Sequence, residues 1–203
     1  MAALKSHRVS STLSTAAAQG AATADDALAK ASALGLPAGS TLYDDMECYD
    51  NSNASGSAAV LTFLSAWTEE LHANGYLSGV YSSLGSGISD LGAQCSSGAY
   101  TLPDNIWFAW WNGAADTATG SYVPAADWSD HQRLHQYSGD TDETWGGVII
   151  NVDDDYLDVG GNSPTCSASL DFTAYGTISS GSTGGLVSAA SACCCARATS
   201  RVR

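Results

Sequence analysis

The order of apolar and polar positions predicts three helices in the first half of the chain. Residues 15–34 are rich in alanine, the best helix former, and this predicted helix ends at Gly35. A second helix is predicted over 57–75, where the apolar residues recur at helical spacing: Val60, Phe63, Leu64, Trp67 and Leu71. A shorter helix is expected around residues 86–94.

Apolar runs predict five β-strands, at residues 41–46, 76–83, 105–113, 131–139 and 147–158. The first three alternate with the helices, whereas the last two follow one another with little between them. Alternating strands and amphipathic helices favour a parallel sheet covered by helices. Polar and aromatic residues stand at the strand ends, where an α/β barrel builds its active site. The predicted class is α/β, a partial barrel that lacks strands needed for closure.

The character of the sequence changes after Asp158. Residues 1–159 hold the predicted barrel segment, and 160–172 form a linker rich in Gly and Ser. Residues 173–192 have the pattern of a turn followed by the start of a helix. The last stretch, 193–203, has no pattern typical of a folded domain.

Charge and composition exclude some classes of partner. The chain has 21 acidic and 7 basic residues, a formal net charge of −14, which disfavours nucleic acid as a partner. It holds no apolar run long enough to span a membrane, and its N-terminus has no signal-peptide core. A surface rich in Ala, Gly, Ser and Thr and poor in Lys suits a secreted protein.

The cysteine and histidine spacings indicate no metal site, and no cofactor is expected. Cys48, Cys95 and Cys166 are scattered without zinc spacing, which leaves one or two disulfides open among them. His131 and His135 fall in a predicted strand, where they would lie about 13 Å apart, too far for one metal. The sequence also lacks a phosphate-binding glycine loop.

Several independent motifs carry a family resemblance. They are YDDMECYDNSNAS, ELHANGYLSGVYSS, PDNIWFAWWNG, DHQRLHQYSGD and GGVIINVDDDYLD. Over about residues 15–158 the chain resembles the glycoside-hydrolase-like domain catalogued as domain of unknown function 1906. That family occurs in secreted bacterial cell-wall proteins and is similar to the family 25 lysozymes.

The resemblance implies a TIM-type (β/α)8 barrel of which this chain holds about strands 4–8. The first three strands, including an acidic residue on the first, would be missing, so an N-terminal truncation is expected. The later stretch GTISSGSTGGLVSAA resembles the opening of a three-helix peptidoglycan-binding domain.

The stretch TLYDDMECYD concentrates carboxylates at the end of a predicted strand. Strand alternation puts Asp45 and Glu47 on one face, and they match the D-x-E pair of family 25 lysozymes, which implies Glu47 as general acid. A neighbouring anion would raise the pKa of that acid and keep it protonated. Asp44 and Asp50 are assigned to solvent or to the helix start. The alternative is an acidic loop without chemistry.

A second acidic group follows the run Val148 to Ile150, which predicts Asp153 at a strand end. The resemblance places Asp153 on the last barrel strand, pointing into a lysozyme-type cleft, as a third catalytic candidate. Asp155 lies on the same face, where a calcium-binding or loop-capping role is the alternative, although no EF-hand loop follows.

Aromatic and amide residues supply the predicted substrate contacts. Tyr81 and Trp111 stand at strand ends and are candidate platforms for sugar rings, the alternative being that they pack in the core. Gln136 and Tyr137 match a Q-Y pair of the seventh family strand, which implies hydrogen bonds to substrate.

Three functions remain open from the sequence. The chain is either a hydrolase of bacterial cell-wall glycan, a barrel that binds peptidoglycan without cutting it, or an inactive truncated remnant. In each case the expected partner is peptidoglycan or another polysaccharide, the expected state is a monomer, and the resemblance implies secretion or association with the cell wall.

Overall fold

The structure, a computed structural model, describes residues 9–160. This part holds three α-helices, one π-helical turn and five strands. In chain order they are α1 (Leu13–Ala33), β1 (Thr41–Glu47), α2 (Ala54–Ala73), β2 (Leu77–Ser83), the π-helical turn (Leu84–Ile88), α3 (Ser89–Gln94), β3 (Asn105–Ala109), β4 (Gln132–Trp145) and β5 (Val148–Val159). Each predicted helix and strand is present, but β3 ends four residues before the predicted 113, β4 extends six residues beyond the predicted 139, and the third helix is α-helical only from Ser89. The predicted segments 173–192 and 193–203, nearly all of the linker 160–172, and Cys166 lie outside the described residues.

The five strands form one curled sheet in the order β1-β2-β3-β4-β5, a half-barrel. The pairs β1–β2, β2–β3 and β3–β4 are parallel. A mixed α/β fold with a partial barrel is therefore confirmed. None of the described helices has the length and apolar character needed to cross a membrane.

The expectation of a wholly parallel sheet is wrong for the last strand, because β4 and β5 pair antiparallel. Only Gly146 and Gly147 connect them, with φ of 56° and 85°. Such a two-residue connection makes a hairpin, since a parallel crossover needs a dozen residues or more. Asp153 consequently lies inside β5 rather than at a strand end.

Small residues let α1 lie close against α2. The buried positions of α1 are Ala16, Gly20, Ala24, Ala27 and Ala31. A Cβ on Gly20 would come within 2.1 Å of the backbone oxygen of Phe63, which shows how near the two backbones are. The alanine-rich composition of α1 therefore serves packing as well as helix propensity.

The core lies between α2 and one face of the sheet. Asn53 caps α2 by accepting hydrogen bonds from the backbone of Ser55 and Gly56. The sheet contributes Val80, Ile106 and Phe108, each fully buried. On the helix side the buried residues include Phe63, Leu64, Trp67 and Leu71.

Strand alternation leaves the other face of the sheet turned away from α2, and we call it the open face. Its members follow from the register, in which Asp45 pairs with Tyr81, Tyr81 with Trp107, and Gln136 with Asp155. Burial of this face is incomplete, because Asp45, Tyr81 and Trp107 are all only half-buried. The open face therefore presents polar and aromatic side chains instead of a core.

The described cysteines are not joined. Cys48 is exposed, Cys95 is half-buried, and both are free thiols. A disulfide between these two, which the sequence left open, is thus excluded.

Candidate functional site

Gln136 of β4 joins three other residues that the sequence nominated. Its Oε1 accepts hydrogen bonds from the Tyr81 hydroxyl and from Trp111 Nε1, each at 3.0 Å. Its Nε2 donates to Asp153 Oδ2, also at 3.0 Å. The side chain itself is 6% exposed, so its amide orientation is fixed by these bonds. We call Tyr81, Trp111, Gln136 and Asp153 the Gln136 group.

Trp111 is the most exposed member of the group. β3 ends at Ala109, and Trp111 follows with 57% of its surface exposed. Its ring lies over Gly139, where a Cβ would come within 2.2 Å of the indole. A bare backbone at Gly139 thus allows the ring to lie on the strand while its face stays accessible.

Asp153 is held from two sides although it lies inside a strand. Its Oδ1 accepts a hydrogen bond from the backbone N–H of Asp140 at 3.2 Å. The β4–β5 register shifts between Gln136 and Ser138 and again before Thr141. Bulges of this kind re-aim side chains, which is how Asp153 meets the amide of Gln136 despite lying mid-strand.

An aromatic cluster extends the open face towards β1. The Trp107 ring lies edge-on to Tyr81, with centroids 4.9 Å apart, and to Tyr43 at 6.0 Å. Gly79 is required here, since a Cβ on it would meet the Tyr43 ring at 2.3 Å. These rings give the open face an apolar floor beside its carboxylates.

Asp155 is a further acidic residue of the open face, for which the sequence suggested only a calcium-binding or loop-capping role. Its Oδ1 accepts a hydrogen bond from Trp107 Nε1 at 2.7 Å, and 4% of its surface is exposed. Burial raises the pKa of Asp155 to about 6, the charge of Asp153 adds to this, and the bond from Trp107 opposes it. The pairing of Asp155 with Gln136 would have revealed that Asp155 belongs to this face. That pairing can be predicted only once β4 and β5 are recognised as a hairpin.

The hydroxyl of Tyr81 lies among three carboxylates. Its pKa is raised to about 12, first by burial and then by the charges of Asp45, Asp153 and Asp155, against the bond to Gln136. The phenol therefore stays protonated and donates its hydrogen bond. This places Asp45, a predicted catalytic residue, within electrostatic reach of the Gln136 group.

The assignment of Asp44 to solvent is wrong. Alternation does separate Asp44 from Asp45, but the opposite face is covered by helix, so Asp44 is 0% exposed. Burial raises the pKa of Asp44 to about 7, and the charge of Asp45 adds to it. Asp50 is exposed and accepts hydrogen bonds from Ser52 just before α2, as assigned.

Glu47 stands apart from this arrangement. The β1–β2 register shifts between Asp45 and Glu47, and Glu47 has φ of 48° and an exposed side chain. Its backbone oxygen accepts a hydrogen bond from the Ser82 hydroxyl. The strict alternation expected for Asp45 and Glu47 is thus interrupted, and Glu47 lies at the rim of the sheet.

Tyr137 also lies away from the Gln136 group. It follows Gln136 on β4, and its ring approaches the edge of His135 with centroids 6.2 Å apart. His135 belongs to the buried face of the sheet. The structure therefore brings together Tyr81, Trp111, Gln136 and Asp153, with Asp45 nearby, whereas Glu47 and Tyr137 lie elsewhere.

The histidines of β4 and its start are engaged in hydrogen bonds. His131 Nδ1 lies 2.6 Å from Asp158 Oδ1, and both nitrogens of His135 face backbone oxygens. Within residues 9–160 no group of three or more His, Cys, Asp or Glu side chains could hold a metal ion.

The α/β half-barrel thus carries carboxylates, an amide and an exposed tryptophan on its open face. Comparison with known families identifies the class. The chain belongs to the family of Rv2525c-like, glycoside hydrolase-like domains, whose model matches residues 5–157. No curated protein and no solved structure matches the chain.

Proposed function

We propose that the open face binds glycan, and that this glycan is bacterial cell-wall peptidoglycan. The observation that carries this is the Gln136 group, in which one buried amide fixes an exposed indole, a phenol and a carboxylate together. Sugar rings pack on aromatic faces, while their hydroxyls bond to carboxylates and amides. The glycoside hydrolase-like family supports a glycan-related function.

The catalytic form of the proposal assigns roles to the acids. Glycoside hydrolysis needs one protonated and one ionised carboxyl group on either side of the scissile bond. We assign Glu47 as the proton donor at the rim, with Asp45 and Asp153 stabilising positive charge that develops on the sugar. Asp155, whose pKa of about 6 keeps it partly protonated near neutrality, is a second source of the proton.

The second candidate is a module that binds peptidoglycan without cutting it. The exposed position of Glu47, beyond a register shift, favours this candidate because the acid lies outside the Gln136 group. In both candidates the protein is a monomer at the cell wall and binds glycan through the same face. They differ only in whether the glycosidic bond is cleaved.

Sedimentation with insoluble peptidoglycan tests the binding. Trp111→Ala should weaken binding by about tenfold, because a central aromatic anchor is commonly worth more than 1 kcal/mol. Trp145→Ala is the matched control, since Trp145 is 49% exposed on the β4–β5 hairpin, away from the Gln136 group. Equal binding by wild type and Trp111→Ala would contradict the proposed face.

Reducing ends released into the supernatant separate the two candidates. If the chain is a hydrolase, Glu47→Gln should abolish release while it retains sedimentation, and Asp155→Asn should lower release if it supplies the proton. Binding by the wild type with no reducing ends above a protein-free control would establish the binding module instead.

A further inference from the structure

His135 is completely buried, and both of its ring nitrogens face oxygens that can only accept a hydrogen bond. Nδ1 lies 2.7 Å from the backbone oxygen of Asp116, and Nε2 lies 2.8 Å from the backbone oxygen of Trp110. The residue is 0% exposed, so water does not replace either partner.

These two contacts determine the protonation of the ring. A neutral imidazole has one N–H donor and one acceptor nitrogen, and a carbonyl oxygen has no proton to give. A neutral ring would therefore set a lone pair against one carbonyl oxygen. Both contacts are hydrogen bonds only when both nitrogens of His135 are protonated, which makes the ring an imidazolium.

The surroundings suit a buried cation. The Phe108 ring stacks on His135 with centroids 4.4 Å apart and planes 19° from parallel, and the Trp110 ring, tilted by 30°, has its centroid 6.2 Å from that of His135. Aromatic faces attract cations, and Asp116 Oδ1 lies 3.9 Å from Nδ1. These contacts favour the charged form of the ring over what an apolar pocket alone would allow.

The two carbonyls belong to the ends of the loop that carries Trp111. Trp110 directly precedes Trp111, and Asp116 closes the loop five residues later. Backbone bonds from Trp110 to Gln136 and from Gly113 to Tyr137 tie the same loop to β4. Of the contacts named here, only those of the His135 side chain reach both ends of this loop.

We propose that His135 is a positioning residue, a buried imidazolium that bridges the backbone of Trp110 and Asp116 and so holds Trp111 in the glycan site. The bridge is a property of the fold. Its consequence for binding rests on the proposed function.

The ring itself provides a direct readout on the full chain. In a ¹⁵N spectrum of histidine-labelled wild type, one ring with both nitrogens protonated and with contacts to the Phe108 ring is expected. This measurement requires no variant to fold. A single protonated nitrogen on His135, at the pH used for binding, would overturn the imidazolium.

Variants then test positioning. His135→Gln retains a donor but cannot bridge both carbonyls, so amide exchange in residues 110–116 should accelerate and peptidoglycan binding should weaken, each about tenfold. His131→Gln is the control, because His131 is a surface residue whose Nδ1 bonds Asp158. Unchanged exchange and unchanged binding in a folded His135→Gln would overturn positioning. If the wild type binds no glycan, the proposed function fails, while the ring spectrum and the loop exchange still decide the bridge.

Discussion

Asp44 is a fully buried carboxyl group whose burial makes the stability of the fold depend on pH. Its carboxyl group is enclosed beneath the helix layer with the charge of Asp45 beside it, so the folded state favours the protonated form. The unfolded chain ionises Asp44 near 3.8, whereas the folded chain does so near 7. The stability that Asp44 contributes is therefore complete below the lower value and is lost as pH rises through the higher one.

We expect the free energy of unfolding to fall between pH 5 and pH 8, with Asp44 contributing roughly 3 kcal/mol of the fall. In Asp44→Asn the free energy of unfolding should fall less over this pH range, by the Asp44 contribution, and the variant should be more stable than wild type at pH 8. Chemical denaturation at the two pH values measures it. Asp50→Asn is the control, because Asp50 is exposed and its pKa is lowered by the bonds from Ser52. If Asp44→Asn retained the full pH dependence of wild type, that result would contradict the burial argument.

Residue type and strand position nominated Tyr81 and Trp111, and the family resemblance nominated Gln136 and Asp153; the structure places these four side chains together, while their roles stay predictions. The convergence of these side chains on the Gln136 amide could not be predicted. It depends on register shifts between β4 and β5, which the periodicity of the sequence does not show. Asp155 lies opposite Gln136 through the hairpin register, which the sequence did not reveal. Glu47 departs from the expected strand alternation through a register shift and a positive φ, and its catalytic role stays a prediction.

The pair α1–α2 shows at the scale of elements that a glycine can be a packing residue. Helix propensity favours alanine over glycine by about 1 kcal/mol. At Gly20 the added Cβ would lie 2.1 Å from a backbone oxygen, so the helices must separate. Gly56 is also helical, but its nearest neighbour would be the Asn53 side chain at an ordinary 3.5 Å.

Gly20→Ala should therefore destabilise the protein by about 1–3 kcal/mol, whereas Gly56→Ala should be neutral or stabilising by up to about 1 kcal/mol. Thermal unfolding of both variants beside wild type measures the difference. Two variants that shift the melting temperature equally and in the same direction would show that α1 does not pack against α2 this closely.

Elements with strong periodicity were predicted well, and their pairing was predicted only in part. The apolar spacing of α2 and the alanines of α1 identify those helices directly. The direction of β5 was missed although Gly146-Gly147 is a typical hairpin sequence, because the alternation of the earlier elements favoured a parallel sheet. The local turn determines the pairing of β4 and β5. Two residues can join only antiparallel neighbours, because a parallel neighbour needs a crossover connection of about a dozen residues or more.

At the scale of the whole molecule, a half-barrel sheet separates structural and functional roles by face. The face towards α2 carries the core, and the open face carries the Gln136 group and the aromatic floor. The α/β class followed from the alternation of helices and strands and the family from the order of motifs, and the family model matches residues 5–157. A partial barrel was expected from the number of strands, whereas the curl of the sheet depends on long-range pairing that the sequence does not show.

The six tryptophans of the chain give one indole N–H signal each, and they divide the molecule into regions. Trp111 and Trp107 belong to the open face, where they donate to Gln136 and Asp155. Trp67 and Trp128 are buried in the core, and Trp145 is on the hairpin.

Titrating ¹⁵N-labelled chain with soluble peptidoglycan fragments tests the central claim most directly. We predict that the indole signals of Trp111 and Trp107 shift and saturate together, while those of Trp67, Trp128 and Trp145 stay in place. Saturable shifts confined to Trp145, or no shift at any indole, would contradict a glycan site on the open face.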